Sequence, residues 1–306
     1  MSEAWRRPTW ERAVTELLQD IVDALSLGSI YALVALGIAL IFGIMRLINF
    51  AHGELIMIAG YTMLLLNGAP WPLVILAAIA AGVIAALLME RVAFRPIRGA
   101  SPATLMITSF AVSFLLQNVA ILVFTSRTRA VDVSISISES TDILGLRVAW
   151  IDMVTSAVSI LLLVALALFL KRHPAGRQMR AAAEHFTMAR LLGIRANRVI
   201  ALAFGISGAL AAVAALLLIA KSGTVSPTIG QPLLLVGVVA TVVGGMGSLP
   251  GAVLGGYLLG ALTVTLQTTL PTELTPYRDA FLFSVVIAIL VLKPGGILGR
   301  GEDLRV

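Results

Sequence analysis

Three groups of residues in this 306-residue sequence have types and spacing suited to chemistry. The first is Asn49-Phe50-Ala51-His52-Gly53-Glu54, which sets an imidazole and a carboxylate on either side of a glycine. An unperturbed histidine titrates near neutrality, and Glu54 can pair with Arg46 just upstream. The same residues also suit a helix start, with Asn49 as a cap and an acid favoured by the dipole of the first turn. The second group is Ser109, Ser113 and Gln117, which recur every four residues and stack on one helix face, with Asn118 beside them. In apolar surroundings such a stripe either hydrogen-bonds to a neighbouring helix or lines a polar path. The third is Gly205-Ile206-Ser207-Gly208, a serine between small residues. A serine nucleophile needs a base within hydrogen-bond reach. His173 and His185 lie in a basic loop, so only His52, from a distant segment, is left to serve; small-residue packing is the simpler reading.

Other chemistry is excluded by what the chain lacks. It has no cysteine, hence no disulfide, thiolate metal site or thiol redox couple. No G-x-x-x-x-G-K-[ST] segment occurs, so no P-loop cradles nucleotide phosphates, and any ATP that drives this protein is bound by a partner. We assign no catalytic residues, no metal ligands and no cofactor held by this chain.

The elements that must position these groups are membrane helices. The chain is 59% hydrophobic and 12% charged, against about 25% charged in an ordinary soluble domain. Apolar runs of close to 20 residues, the length that crosses a bilayer, cover Ala24–Met45, Trp71–Met89, Ala103–Phe124, Met153–Leu170 and Val199–Ala220. Leu55–Leu66, Leu233–Met246, Gly251–Leu266 and Ala280–Leu292 are shorter and call for tilt, re-entry or a broken helix. The expectation is an all-α polytopic bundle of eight or nine spans forming one domain over 1–306. Continuous runs exclude a β-barrel, whose strands alternate. Only Val131–Ser138 alternates, which predicts a short extended element in the 126–150 loop. The first twenty residues mix Arg6, Arg7 and Arg12 with four acids and lack a signal-peptide core, and they suit an amphipathic surface helix.

Basic residues set the orientation. Lys171, Arg172, Arg177, Arg180, Arg190, Arg195 and Arg198 crowd the 171–198 loop, which is therefore cytoplasmic. Counting outward puts Arg91, Arg95 and Arg98 inside, the 126–150 loop outside and the tail with Lys293 inside. Nine crossings leave the N-terminus outside; a re-entrant Leu55–Leu66 would bring it in. The net charge of +6 reads as loops beside anionic lipid, not as nucleic-acid binding. Gly247, Gly251 and Gly255, with Gly256 and Gly260, give the small-residue spacing that lets helix backbones approach, or a helix break at Pro250 beside a path. Gly43–Met45, Gly53 and Gly60-Tyr61 are echoed by Gly245-Met246, Gly251 and Gly256-Tyr257, a hint of internal repetition.

Within the basic loop, Arg177–Leu192 is rich in helix formers and ends at Gly193, which predicts one short amphipathic helix with a glycine C-cap. Its Arg180-Ala181-Ala182-Ala183-Glu184, followed by Ala189 and Leu192-Gly193-Ile194, resembles the coupling loop of ATP-binding-cassette importer permeases, in the form typical of the branched-chain amino-acid permeases. Matching blocks run through Gly28–Leu33, Ile48–Glu54, Glu90–Pro96, Arg198–Leu202, Gly244–Ser248 and Pro294–Gly299, in the order of that family. The resemblance implies an assembly in the bacterial inner membrane. Two related permease subunits would form the path, two nucleotide-binding subunits would dock on the cytoplasmic loops, and an extracytoplasmic binding protein would deliver substrate. Arg177, Arg180, Ala182, Ala183, Glu184, Ala189 and Gly193 would then serve coupling, and Asn49, His52, Glu54, Ser109, Ser113 and Gln117 would line the translocation path. Urea and short-amide importers use similar permeases. An ion-coupled transporter working alone would need ionisable residues near the midplane, which the long central spans lack. The Gly205–Gly208 segment also resembles the nucleophile site of rhomboid-type intramembrane proteases, the remaining rival.

Orientation is directly testable because the chain has no native cysteine. Single cysteines at Arg95 and Arg177 are expected to resist a membrane-impermeant thiol reagent in intact cells, while one at Ser138 reacts; the reverse pattern overturns the assignment.

Overall fold

The structure, a computed structural model, describes residues 9–132, 140–143 and 146–299. Among these, seven helical stretches are long and apolar enough to cross a membrane: Thr15–Met45, Trp71–Phe94, Pro102–Phe124, Trp150–Arg172, Ala196–Ser222, Leu249–Thr269 and Thr275–Leu292. The chain is therefore a polytopic helical bundle. We number the α-helices in order as α1 (Thr9–Met45), α2 (His52–Leu65), α3 (Trp71–Met89), α4 (Pro102–Phe124), α5 (Trp150–Arg172), α6 (Pro174–Glu184) and α7 (Phe186–Leu191). They continue as α8 (Ala196–Ser222), α9 (Gly230–Gly244), α10 (Leu249–Thr269) and α11 (Arg278–Leu292). A π-helical turn, Glu90–Phe94, extends α3.

Two of the four short runs reach spanning length, α10 with 21 residues and α11 only together with the 3-10 turn before it, 18 residues over Thr275–Leu292. In α10 threonines dilute the apolar pattern, yet Thr263, Thr268 and Thr269 each bond back to the carbonyl four residues earlier, so the helix continues to Thr269. The other two stay short: α2 has 14 residues and α9 has 15, about 21 Å and 22 Å at 1.5 Å per residue, where about 30 Å is needed. Yet α2 does not turn back on itself. The coil of residues 46–51 climbs into the bundle and α2 completes the crossing, so that Asn67, beyond its end, bonds Asp132 after α4. The N-terminal part of α1 accordingly lies at the end of the bundle opposite α6 and α7, where Ser26 meets Asp152 at the start of α5. Residues 9–20 are no separate surface helix; they run unbroken into the span.

Among the described residues, four short strands occur at that opposite end: β1 (Arg129–Ala130), β2 (Ser140–Ile143), β3 (Leu146–Ala149) and β4 (Thr224–Val225). β1 pairs antiparallel with β4, and β2 with β3. Most of the expected strand over Val131–Ser138 falls outside the described residues. The expected single helix over 177–192 is broken at His185 (φ −143°, ψ 87°) into α6 and α7. Nothing in Glu184-His185-Phe186 forbids a helix; the break follows from packing, which draws Phe186 against the core of the bundle.

Small residues set the spacing of the bundle. A Cβ on Gly256 of α10 would lie 2.5 Å from Cα of Ala32 in α1, and one on Gly208 of α8 would lie 2.5 Å from the Gly82 carbonyl oxygen in α3. The Gly205–Gly208 segment is thus part of a helix contact. The echoed turns share a left-handed residue each, Arg46 (φ 51°) after α1 and Gly245 (φ 107°) after α9.

Because the α1–α10 contact leaves no room, Gly256→Ala is expected to destabilise the folded chain by about 1–3 kcal/mol, the usual cost of overpacking. Gly99→Ala, where an added Cβ meets nothing within 4 Å, is expected to be neutral. Thermal unfolding of the detergent-solubilised variants reads both; equal melting temperatures would contradict the close-packing account.

Candidate functional site

The turn between α1 and α2 is built by its own polar residues. Asn49 is buried, its Oδ1 accepts from the Ala51 N–H (3.1 Å), and its carbonyl accepts from the His52 N–H (3.1 Å). This is the local turn that asparagine favours, and it launches α2. The Phe50 N–H donates to Ser109 Oγ (3.2 Å), which donates to the Met106 carbonyl (2.7 Å), and the Phe50 ring stacks on Phe110 at 4.1 Å. One turn along, Glu54 Oε1 accepts from Ser113 Oγ and Gln117 Nε2, both at 2.8 Å. Near the far end Tyr61 stacks on Phe124 at 4.1 Å. The stripe on α4 is therefore the seam along which α2 and α4 run side by side, with Asn118 exposed and bonded to its own Phe114 carbonyl.

The expected Arg46–Glu54 ion pair does not form. The left-handed turn at Arg46 leaves its side chain exposed at the end of α1, whereas Glu54 is 2% exposed inside the bundle with no cationic partner among the described residues. Two features hold the carboxylate there: the pair of neutral donors and its place in the first turn of α2, where the helix dipole favours negative charge.

His52, also in that turn, lies with Nδ1 3.1 Å from Ser207 Oγ. The base and the hydroxyl that sequence separates by 155 positions thus do meet. Both are fully buried, with Gly37 of α1 so close that a Cβ there would lie 2.9 Å from His52 Cε1. Neither side chain is open to solvent, and their bond ties the start of α2 to α8. Gly37 and Ser207 lie well inside α1 and α8, so α2 begins deep within the bundle. α9 begins at the same level, with a Cβ on Gly53 only 2.8 Å from the Gly230 carbonyl oxygen. From there the two half-length helices run to opposite ends: Gly60 packs on Ile219 and Val225, while the far end of α9 meets Gly251 and Gly299.

The α6–α7 group divides in two. Arg177, Arg180 and Glu184 are exposed, and Arg180 forms no ion pair with Glu184. Ala182 and Ala189 are buried, and partly buried Ala183 lies 3.8 Å from where a Gly43 Cβ would sit, so these alanines pack on the chain's own bundle. Gly193 takes the left-handed conformation expected of a helix C-terminus (φ 85°). Sequence reasoning passed over the apolar surface of Met188, Leu191 and Leu192, which are 57%, 76% and 79% exposed on and just after α7. Its signal was the row of large apolar residues inside an otherwise charged loop. Also missed was the junction of Lys221 Nζ with Asp152 Oδ1 (2.6 Å) and Ser26 Oγ (2.9 Å), which joins α8, α5 and α1 from partners too far apart in sequence to be paired by spacing.

Residues 21–290 match the family model described as branched-chain amino acid transport system / permease component. The chain is 38% identical over 303 residues to the high-affinity branched-chain amino acid transport system permease protein BraD of Pseudomonas aeruginosa, covering 94% of this chain and 98% of that protein. It is also 38% identical over 309 residues to the permease protein LivH of the corresponding Escherichia coli K12 system (94% and 97%). It is 29% identical over 306 residues to a probable branched-chain amino acid transport permease protein LivH of Methanocaldococcus jannaschii (92% and 95%).

If Gln117 serves mainly to solvate the Glu54 carboxylate, the two positions are coupled. Gln117→Leu alone is expected to lower stability by about 1–3 kcal/mol, the cost of a buried charge short of a donor. In a Glu54→Gln background the same change is expected to cost clearly less. A double-mutant cycle by thermal unfolding measures this, and additive effects would show that the contact carries no energy.

Proposed function

Because the chain belongs to the family of branched-chain amino acid transport system permease components, we propose that it carries a branched-chain or other small amino acid across the membrane beside Glu54. It is a multi-pass membrane protein and the permease subunit of an ATP-binding-cassette importer, a class that works with ATPase and binding-protein partners. The observation that supports the path is Glu54 itself. An ionisable side chain at the bilayer centre costs about 2.5–3.5 kcal/mol even on insertion scales, and such residues mark transport routes. Here the carboxylate has neutral donors only, so its charge is free to meet the ammonium of a zwitterion, while the N-termini of α2 and α9 lie at the same level for its carboxylate.

A second, related permease subunit completes the path. α4 stands at the edge of the bundle, and its outer face carries exposed Asn118 between Phe114 and Leu122, a polar group better covered by protein than by lipid. The α6–α7 end faces the cytoplasm of a bacterial inner-membrane protein. There Arg177, Arg180 and Glu184, with the apolar knob of Met188, Leu191 and Leu192, form the surface for the nucleotide-binding subunits, which bind the ATP. α6 packs on α1 and α8, the helices that hold His52, so motion at this surface reaches the start of α2. Gly193 sets the angle between α7 and α8.

Proteoliposomes containing the full complex test this reading by uptake of labelled leucine. Uptake is expected to require ATP and the binding protein. Glu54→Gln is expected to lower it about tenfold or more, the equivalent of losing one charge-assisted hydrogen bond, with assembly unchanged. Gly193→Val is expected to leave ATP hydrolysis intact and cut the leucine moved per ATP. Uptake driven by an ion gradient without ATP, or strict preference for urea over leucine, would overturn the proposal.

A further inference from the structure

A cavity of about 870 Å³ opens where the end of α1, the connection into α4 and the α7–α8 turn converge. Five arginines line it: Arg46, Arg98, Arg190, Arg195 and Arg198. No aspartate or glutamate does. Arg98 is held by Glu90 and by Asn197 of α8, which fixes one wall. Burial lowers the pKa of this guanidinium from its ordinary value, but Glu90 is at hand to keep it charged. The other four arginines form no ion pair among the described residues. Four unopposed cations around one cavity repel one another, and a chain that keeps them together has an anion to place there. Arg46 adds a second sign of function, since a non-glycine residue at φ 51° is uncommon. A third is the first turn of α8, Ala196–Arg198, which lines the cavity without a side-chain cap and adds the positive end of the helix dipole.

The position of the cavity says which anion. Arg46 directly follows Met45 at the end of α1, Arg195 is the N-cap of α8, and Arg98 shortly precedes α4. All lie at the level where spans end, which is the level of lipid headgroups. The inner wall is apolar, with Ile44, Leu105 and Ile200. The residues following Leu105, Met106 and Ile107, are 42% and 67% exposed on the flank of α4 beside the cavity, near the helix start and away from Asn118. A ligand with a phosphate for the arginines and acyl chains for that flank fits both parts. We propose that this cavity binds the headgroup phosphate of an anionic phospholipid. The bound lipid would bridge the α1 end, the α4 start and the α7–α8 turn, and so brace the surface on which the partner ATPase is proposed to act.

This inference rests on the chain being a membrane permease, but its test does not read transport. The full chain, assembled with its partner subunits, is placed in nanodiscs of phosphatidylcholine containing phosphatidylglycerol, then extracted into detergent, and retained lipid is measured by native mass spectrometry. Wild type is expected to retain phosphatidylglycerol. Arg195→Gln with Arg198→Gln is expected to weaken retention on the order of tenfold or more, since each basic residue contributes to anionic-lipid binding. Arg172→Gln, at the end of α5 and outside the cavity, is expected to change nothing. Arg195→Lys with Arg198→Lys keeps the charge and is expected to hold most of the lipid, which separates a lost site from a misfolded chain. Equal retention in the glutamine variant would overturn the proposal. So would displacement of the lipid by millimolar inorganic phosphate, which would mark a soluble phosphate ligand, or loss of the ATPase subunits with lipid retention intact, which would give the arginines to a protein partner.

Discussion

A carboxylate inside an apolar helical bundle is stable only where donors, a dipole or a cation compensate it, and Glu54 has the first two and lacks the third. That requirement shapes the neighbourhood. The donors must come from α4, so α4 needs a hydroxyl and an amide one turn apart. The dipole must come from a helix that starts inside the bundle, so α2 must be half-length and be reached by an irregular segment. Irregular backbone is tolerated at that depth only where protein covers it, and Asn49, Ser109 and Met89 supply the cover.

The close packing of small residues is the counterpart of this arrangement. In lipid no hydrophobic drive holds helices together, so contacts such as Gly256 on Ala32 and Gly208 on Gly82 supply the cohesion through van der Waals contact at short range. They also make the central helices a stiff frame. α1 is simultaneously the partner of α10, α8 and α9, and α6 rests on it. The buried His52–Ser207 bond belongs to the same frame, joining the start of α2 to the middle of α8.

The two ends of the bundle are built differently. At one end, short strand pairs and the Ser26–Asp152–Lys221 junction bring opposite charges together and close the structure. At the other end, arginines outnumber acids and stay mostly unpaired, and apolar side chains of α7 stand exposed. A surface that keeps unpaired charge and bare apolar area is one whose partners lie outside the chain.

What the sequence by itself determined follows from short-range periodicity and composition. Long apolar runs specify spans because lipid admits little else, a four-residue polar repeat places Ser109, Ser113 and Gln117 on one face, and Gly193 marks the end of a helix. The dispersed blocks carried the family. Tertiary structure alone decided who meets whom. Glu54 takes donors from α4 in place of nearby Arg46, because a left-handed turn sends the arginine to the end of α1. His52 finds Ser207, and Ala182 and Ala189 face inward, because packing chooses which face of a helix is covered. α2 and α9 start from a common level inside the bundle, a fact that no run length contains. The reason is the same in each case: local pattern fixes the conformation of a segment, whereas the pairing of groups 59 or 155 residues apart is set by how the helices pack against one another.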